Sequence, residues 1–311
     1  MKSFAILFGT VLVMIGVISQ AEPNRYDDNV SIRYPHAPKP LPFSVERSLR
    51  ESHGETHDPG LLASSVLLLD RSSGAVLYEK NPDVTQPIAS ITKLMTAMVV
   101  LNSAQSLDQM LTVTSLDAQA ARPTHSKLSI GARLSRSELL RLMLMASENR
   151  AAATLARSFP GGLGTFVRRM NETALALGLF STHFADSTGL HPGNVSTARD
   201  LAALVQHASR LDLIRAYSTT PEYAVSLRRA RATLFQNTNR LTRSADWDIR
   251  LSKTGFINAS GQCLVLEANV AGRPVVMVIL DSWGKGGRVE DAQRLRGWLE
   301  KRAEPWVVAR M

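Results

Sequence analysis

Ser90-Ile91-Thr92-Lys93 sets a hydroxyl and an amine three residues apart. The tetrad follows Pro87-Ile88-Ala89 and opens the apolar run 94–101, so Ser90 is expected at or near a helix start. Residues three apart share a helix face, which lets the Lys93 amine approach the Ser90 hydroxyl. If desolvation and neighbouring positive charge keep that amine neutral, it can take the serine proton and activate Ser90 as a nucleophile. The spacing alone is unspecific. Ser282-Trp283-Gly284-Lys285 repeats it in a glycine-rich loop without a helix, and an isolated Ser-x-x-Lys is an ordinary helix start.

Two more polar groups follow in order. Ser147-Glu148-Asn149 comes after the apolar helical run 139–145, and Lys253-Thr254-Gly255 stands ahead of a strand hairpin. By themselves they read as a polar helix-end loop and a turn into a strand. Taken together, the three resemble the Ser-x-x-Lys, Ser-x-Asn and Lys-Thr-Gly motifs of penicillin-binding proteins and serine β-lactamases. The resemblance covers residues 61–299 and is nearest to low-molecular-weight D,D-peptidases, in particular the penicillin-binding protein 7/8 type D-alanyl-D-alanine endopeptidases. Asp186-Ser187-Thr188-Gly189-Leu190, followed by His191-Pro192-Gly193-Asn194, looks like a loop those peptidases carry between their second and third motifs. It reads here as a turn before a helix capped at Thr197, without a direct catalytic part.

The resemblance implies roles position by position. Ser90 would attack the D-alanyl carbonyl, Lys93 would be the general base for acylation, and Ser147 would relay a proton to the leaving amine. Asn149 would hydrogen-bond the acyl side of the substrate while holding the lysine. Lys253 and Thr254 would bind the substrate carboxylate, and Gly255 would let the ligand lie along the strand edge. The backbone N–H groups of Ser90 and Phe256 would form the oxyanion hole, with about 3 kcal/mol from each donor. No cofactor and no metal is implied. The partners implied are peptidoglycan stem peptides, with β-lactam antibiotics as covalent inhibitors.

Other functions leave traces that are missing here. A zinc peptidase needs a ligand pattern such as His-Glu-x-x-His, whereas the sequence offers only His183-Phe184-Ala185-Asp186. A non-catalytic peptidoglycan-binding protein would need neither Ser90 nor Lys93. A class A β-lactamase carries Glu-x-x-Leu-Asn for deacylation. Glu172-Thr173-Ala174-Leu175 ends instead in Ala176 within an amphipathic helical run, so Glu172 reads as a surface residue. Endopeptidase and carboxypeptidase activity share one acyl-enzyme and differ in the leaving group. The sequence runs only ten residues past Lys301, which leaves no room for the β-rich domain and amphipathic anchor many D,D-carboxypeptidases carry. The endopeptidase is therefore expected, with D-alanyl-D-alanine carboxypeptidase as the alternative.

The elements that must position these groups follow from hydrophobic patterning. Residues 66–70 and 75–79 flank Arg71-Ser72-Ser73-Gly74, a hairpin signal, and residues 263–270 and 275–280 form a second hairpin around Ala271-Gly272-Arg273-Pro274. Between them the sequence reads helical, with capping boxes at Ser135-x-x-Glu138 and Thr197-x-x-Asp200, and a last amphipathic helix spans 289–301. The fold class is α/β in the α+β sense. An antiparallel sheet is built from both chain ends, flanking helices cover it, and a helical lobe is inserted, as in the serine β-lactamase/D,D-peptidase fold; the site is expected at the seam of the lobes.

The 311 residues are 44% hydrophobic and 20% charged, enough for a full core. Lys2, the apolar run 4–18 and Ser19-Gln20-Ala21 read as an export signal, residues 1–21, cleaved after Ala21 into the periplasm. Residues 22–59 are polar and proline-bearing and read as a tether; 60–303 form the catalytic domain and 304–311 a tail. The net charge of +9 favours an anionic partner. No nucleic-acid-binding signature is present, which leaves an anionic envelope polymer, and peripheral association with membrane or sacculus is expected. Cys263, the only cysteine, lies in an apolar strand-like run and reads as structural.

Overall fold

The computed structural model describes residues 58–121, 124–228 and 231–308. The proposed signal segment, residues 22–57 of the proposed tether and residues 309–311 lie outside them. From the N-terminal side, β1 (Ala63–Asp70) and β2 (Val76–Lys80) precede a short β3 (Gln86–Pro87), a 3-10 turn (Ala89–Thr92) and α1 (Lys93–Leu101). The helical lobe continues with β4 (Met110–Thr112), α2 (Ser115–Ala120), β5 (Arg133–Ser135), α3 (Arg136–Met145), α4 (Asn149–Arg157) and α5 (Gly162–Ala176). It ends with β6 (Val195–Ser196), α6 (Ala198–Ala208), α7 (Asp212–Thr219) and the ribbon β7 (Glu222–Arg228) and β8 (Arg231–Gln236). The C-terminal part returns as β9 (Asp248–Ile257), β10 (Gly261–Val270), β11 (Arg273–Ser282) and α8 (Gly287–Val308).

Both ends of the chain enter one antiparallel sheet, in the order β2-β1-β11-β10-β9. Its central strands are apolar at nearly every position because both faces are covered. Alternate side chains enter separate cores: Leu67, Val265, Val276, Val278 and Leu280 join the helical lobe, while Val66, Leu68, Leu264, Leu266, Met277 and Ile279 pack on the other face. There they meet Val289, Ala292, Leu295 and Leu299, which recur every three or four residues along α8 and so form one stripe. Asp291 of α8 is buried and accepts hydrogen bonds from Leu62 N (2.8 Å), Ala63 N (2.9 Å) and Ser282 Oγ (2.7 Å), fixing the start of β1 and the end of β11 to that helix.

Lys253-Thr254-Gly255 stands ahead of the β10–β11 hairpin as expected and itself lies within the edge strand β9, not in the turn that its isolated pattern suggests. Its polar residues hide the alternation because the open edge faces the site rather than a core. The box expected at Thr197 is only half formed. Thr197 Oγ1 accepts from Asp200 N (3.0 Å), but the Asp200 carboxylate turns to Ser181 N (2.9 Å) and Thr182 Oγ1 (2.8 Å), which anchors the loop after α5. At Ser135 both bonds form: Oγ accepts from Glu138 N (3.1 Å) and Glu138 Oε2 from Ser135 N (2.8 Å). Among the described residues no helix is long and apolar enough to cross a membrane.

Candidate active site

The 3-10 turn that carries Ser90 is wedged between the open edge of β9 and the loop 186–191. Ala89 holds the left-handed region at φ 46°, a conformation that costs a non-glycine residue about 1 kcal/mol, and Thr92 Oγ1 donates to Ala89 O at 2.8 Å. Two glycines make the packing possible. A Cβ on Gly189 would stand 2.0 Å from Ala89 O and 2.8 Å from Ser90 N, and one on Gly255 would stand 2.9 Å from Ile88 O and 3.2 Å from Ser90 N. Backbone from two separate segments thus converges on the Ser90 amide.

Lys93, on the first turn of α1, which is buried from Lys93 to Val100, has no solvent exposure. Its Nζ makes three hydrogen bonds: to Ser90 Oγ (2.7 Å), to Asn149 Oδ1 (2.7 Å) and to the carbonyl of Thr188. Burial pulls the Lys93 pKa down to about 7, against the opposing pull of the Asp186 and then the Glu148 carboxylate. Near neutrality the amine is therefore often unprotonated, and a neutral Nζ can accept the Ser90 proton along the same 2.7 Å line. The sequence reasoning expected neighbouring positive charge to assist. Desolvation alone lowers Lys93, and the charge repulsion is felt by Lys253.

Ser147 and Asn149 reach the site from the bend between α3 and α4. Ser147 sits at φ 56°, a second strained residue, and Glu148 caps α4 by accepting from Arg150 N at 3.2 Å. Glu148 is buried and also accepts from Ser126 Oγ, while Asn149 Nδ2 donates to Thr124 Oγ1 at 3.0 Å, so the loop between α2 and β5 braces the residues that follow Ser147.

From β9, the buried Lys253 donates from Nζ to Ser147 Oγ (3.0 Å) and to Thr254 O (2.8 Å). Burial, then the charges of Lys93 and Arg288, hold its amine well below the ordinary lysine range. Thr254 Oγ1 shares a 2.6 Å hydrogen bond with Thr238 Oγ1. Phe256 follows on the same strand with its side chain exposed. Arg288, at the start of α8, donates from Nη1 to Gly255 O at 2.7 Å and fixes the strand from behind.

The structure thus brings together Ser90, Lys93, Ser147, Asn149, Lys253, Thr254 and Gly255. The chemistry available is a serine hydroxyl next to a near-neutral amine, a second hydroxyl against a second amine, and an open strand edge for an extended ligand. The sequence reading missed Thr188, Asp186, Glu148 and Arg288. The middle residue of Ser-x-Asn, Glu148, and the loop at Asp186 were in view, but nothing in their local pattern showed which carbonyl or carboxylate would point at Lys93. Ser282 of the second Ser-x-x-Lys is tied to Asp291, and Trp283 is exposed. Glu172 lies on α5, half exposed, beside Arg168 and Arg169. Cys263 is buried, with its thiol pushed up to about 11 by burial. Among the described residues no group of histidine, cysteine or acidic side chains could hold a metal ion.

Comparison with known proteins fits this geometry. A profile of the D-alanyl-D-alanine carboxypeptidase family matches residues 53–284. The chain belongs to that family. It is a serine-type D,D-peptidase, as the three ordered motifs led one to expect. It is 47% identical over 241 residues to the D-alanyl-D-alanine endopeptidase of Pseudomonas aeruginosa, covering 77% of this chain and 78% of that protein. With the D-alanyl-D-alanine endopeptidase of Escherichia coli it shares 40% identity over 262 residues, covering 84% of each. The crystal structure of penicillin-binding protein D2 from Listeria monocytogenes in its cefotaxime-bound form superposes with a TM-score of 0.67 at 28% identity, covering 76% of this chain and 97% of that one. The fold and the resemblance to D-alanyl-D-alanine endopeptidases expected from the sequence are both borne out.

Proposed function

We propose that this D,D-peptidase is an exported endopeptidase that opens D-alanyl cross-links of peptidoglycan through an acyl-enzyme at Ser90. The observation that carries the reading is the position of Lys93 Nζ, 2.7 Å from both Ser90 Oγ and Asn149 Oδ1 and fully desolvated. In this mechanism Lys93 takes the serine proton as Ser90 attacks the D-alanyl carbonyl. The amides of Ser90 and Phe256 receive the oxyanion, worth about 3 kcal/mol each. The Lys93 ammonium then gives up that proton through Ser147, held by Lys253, to the departing amine, which leaves Ser147 a hydroxyl and Lys93 neutral again. Lys253 and Thr254 bind the substrate carboxylate, an anion that would restore the charge burial discourages on Lys253. Asn149 orients the acyl side. Hydrolysis by water then frees the enzyme.

The preference for cross-links over terminal D-alanine is supported by the two relatives named endopeptidases, each matched over more than three quarters of its length. β-Lactams would acylate Ser90 in the same way and persist, since the half-exposed Glu172 on α5 is paired with arginines rather than placed to activate water. The positive charge of the chain suits work on an anionic wall in the periplasm, with peripheral contact to sacculus or membrane. Incubation with purified cross-linked muropeptide dimers and with monomeric pentapeptide tests the reading. Conversion of dimers to monomers is expected. Rapid loss of terminal D-alanine with dimers left intact would replace it by the carboxypeptidase.

A further inference from the structure

The loop 186–191 was read from sequence as a turn, yet it supplies one of the three acceptors of Lys93. We propose that Asp186 is a positioning residue for acylation: its carboxylate folds this loop so that the Thr188 carbonyl meets the Lys93 amine, and it presents a negative charge to that amine. The inference rests on the reading that Lys93 receives the Ser90 proton.

The geometry is local and complete. Asp186 Oδ1 accepts from Thr188 N (2.7 Å), Gly189 N (2.6 Å) and Thr188 Oγ1 (3.1 Å), and Oδ2 accepts from His191 N (2.8 Å). Three backbone donors within four residues are thereby turned toward one carboxylate, Leu190 N bonding to Thr188 Oγ1 between them, and the carbonyl of Thr188 is left pointing to Nζ of Lys93. The same turn presses Gly189, at φ 83°, against the carbonyl of Ala89, the residue before the nucleophile. Neighbouring residues hold the loop from outside: Asn194 Oδ1 accepts from Ala185 N at 3.2 Å, and Thr96 Oγ1 of α1 donates to Ser187 O at 2.7 Å.

The charged groups facing Lys93 are Asp186 from this loop, Glu148 from the cap of α4 and Lys253 from β9. Both carboxylates favour the protonated amine, Asp186 more than Glu148, and so oppose the burial that neutralises it. Asp186 would hold the Lys93 pKa near the working pH rather than far below it, where the amine would be too weak a base to take the proton.

The test is the pH dependence of Ser90 acylation by a fluorescent penicillin in the wild type, Asp186→Asn and Asp186→Ala, with thermal unfolding in parallel. Asn keeps the shape and one acceptor oxygen but loses the charge. Its acid limb should move by about half a pH unit or more to lower pH, with a moderately lower plateau. Ala should show the same displacement and a plateau roughly tenfold or more lower, because the loop is released as well. A limb that stays in place in both variants would overturn the proposal and leave Asp186 a purely structural residue; an unchanged plateau in Ala would also overturn it. So would an Asn variant that fails to fold, since every hydrogen-bond partner described for this carboxylate lies within five residues of it. A wild-type enzyme that labels elsewhere than Ser90, or shows no acid limb, would instead remove the underlying reading of Lys93.

Discussion

If Lys93 must be neutral to take the Ser90 proton, acylation should follow its titration. With a pKa of about 7, the neutral fraction is about 0.09 at pH 6, about 0.5 at pH 7 and about 0.9 at pH 8. The acylation rate should therefore rise roughly tenfold between pH 6 and pH 8 and be levelling off at the upper end. An exposed lysine near its ordinary value would give about a hundredfold rise over the same interval with no plateau. The assay is the second-order rate of labelling by a fluorescent penicillin, quenched at intervals and read by gel, across about pH 5.5 to pH 8.5. Lys253 also titrates low, and its charge is proposed to hold the ligand carboxylate, so the upper limb should bend downward for penicillin. A ligand without a carboxylate should lose that downturn and keep the acid limb. A rate that climbs tenfold per pH unit through neutrality, or one independent of pH, would refute the claim that burial prepares Lys93 as the base.

Three other outcomes follow from the same contacts. Lys253→Ala should slow acylation by carboxylate-bearing ligands roughly thirtyfold, about 2 kcal/mol, and slow a carboxylate-free analogue much less; equal losses in the two rate series would mean that Lys253 acts on structure instead. Gly189→Ala should lower thermal stability and labelling together, because its Cβ would fall 2.0 Å from Ala89 O, while Gly74→Ala, at φ 73° with nothing within 4 Å, should cost only about 1 kcal/mol in unfolding experiments. The folded pKa of Lys93 lies below its unfolded value, so between about pH 7 and pH 10 the unfolded chain binds more protons and stability rises with pH. Relative to Lys93→Met, the wild type should gain about 1.4 kcal/mol per pH unit in this window, read from urea unfolding.

Much of the site was legible in the sequence because its chemistry is carried by short, ordered groups. Ser90 and Lys93 needed only helical periodicity to meet, and the two hairpins announced themselves by apolar runs around tight turns. The sheet could be foreseen from both ends of the chain because its strands are covered on both faces and read as continuous apolar stretches. What stayed hidden depends on direction rather than type. β9 looks polar, with Asp248, Arg250, Ser252, Lys253 and Thr254, because its edge is the floor of the site. Thr188 contributes a backbone carbonyl, for which no side-chain pattern exists. Asp186 and Glu148 look like ordinary turn and cap residues, which they also are. Arg288 reaches Gly255 from 33 residues away along the chain, a contact fixed only by the packing of α8 on the sheet.

The central claim is that Ser90 is the nucleophile of this D,D-peptidase. Intact mass and peptide mapping after brief exposure to benzylpenicillin test it most directly, applied to the wild type and to Ser90→Ala. The wild type should gain the mass of one penicillin on the peptide that contains Ser90. The variant should gain none while keeping its unfolding temperature. A full adduct on folded Ser90→Ala, or a wild-type adduct on Ser147, would contradict the account.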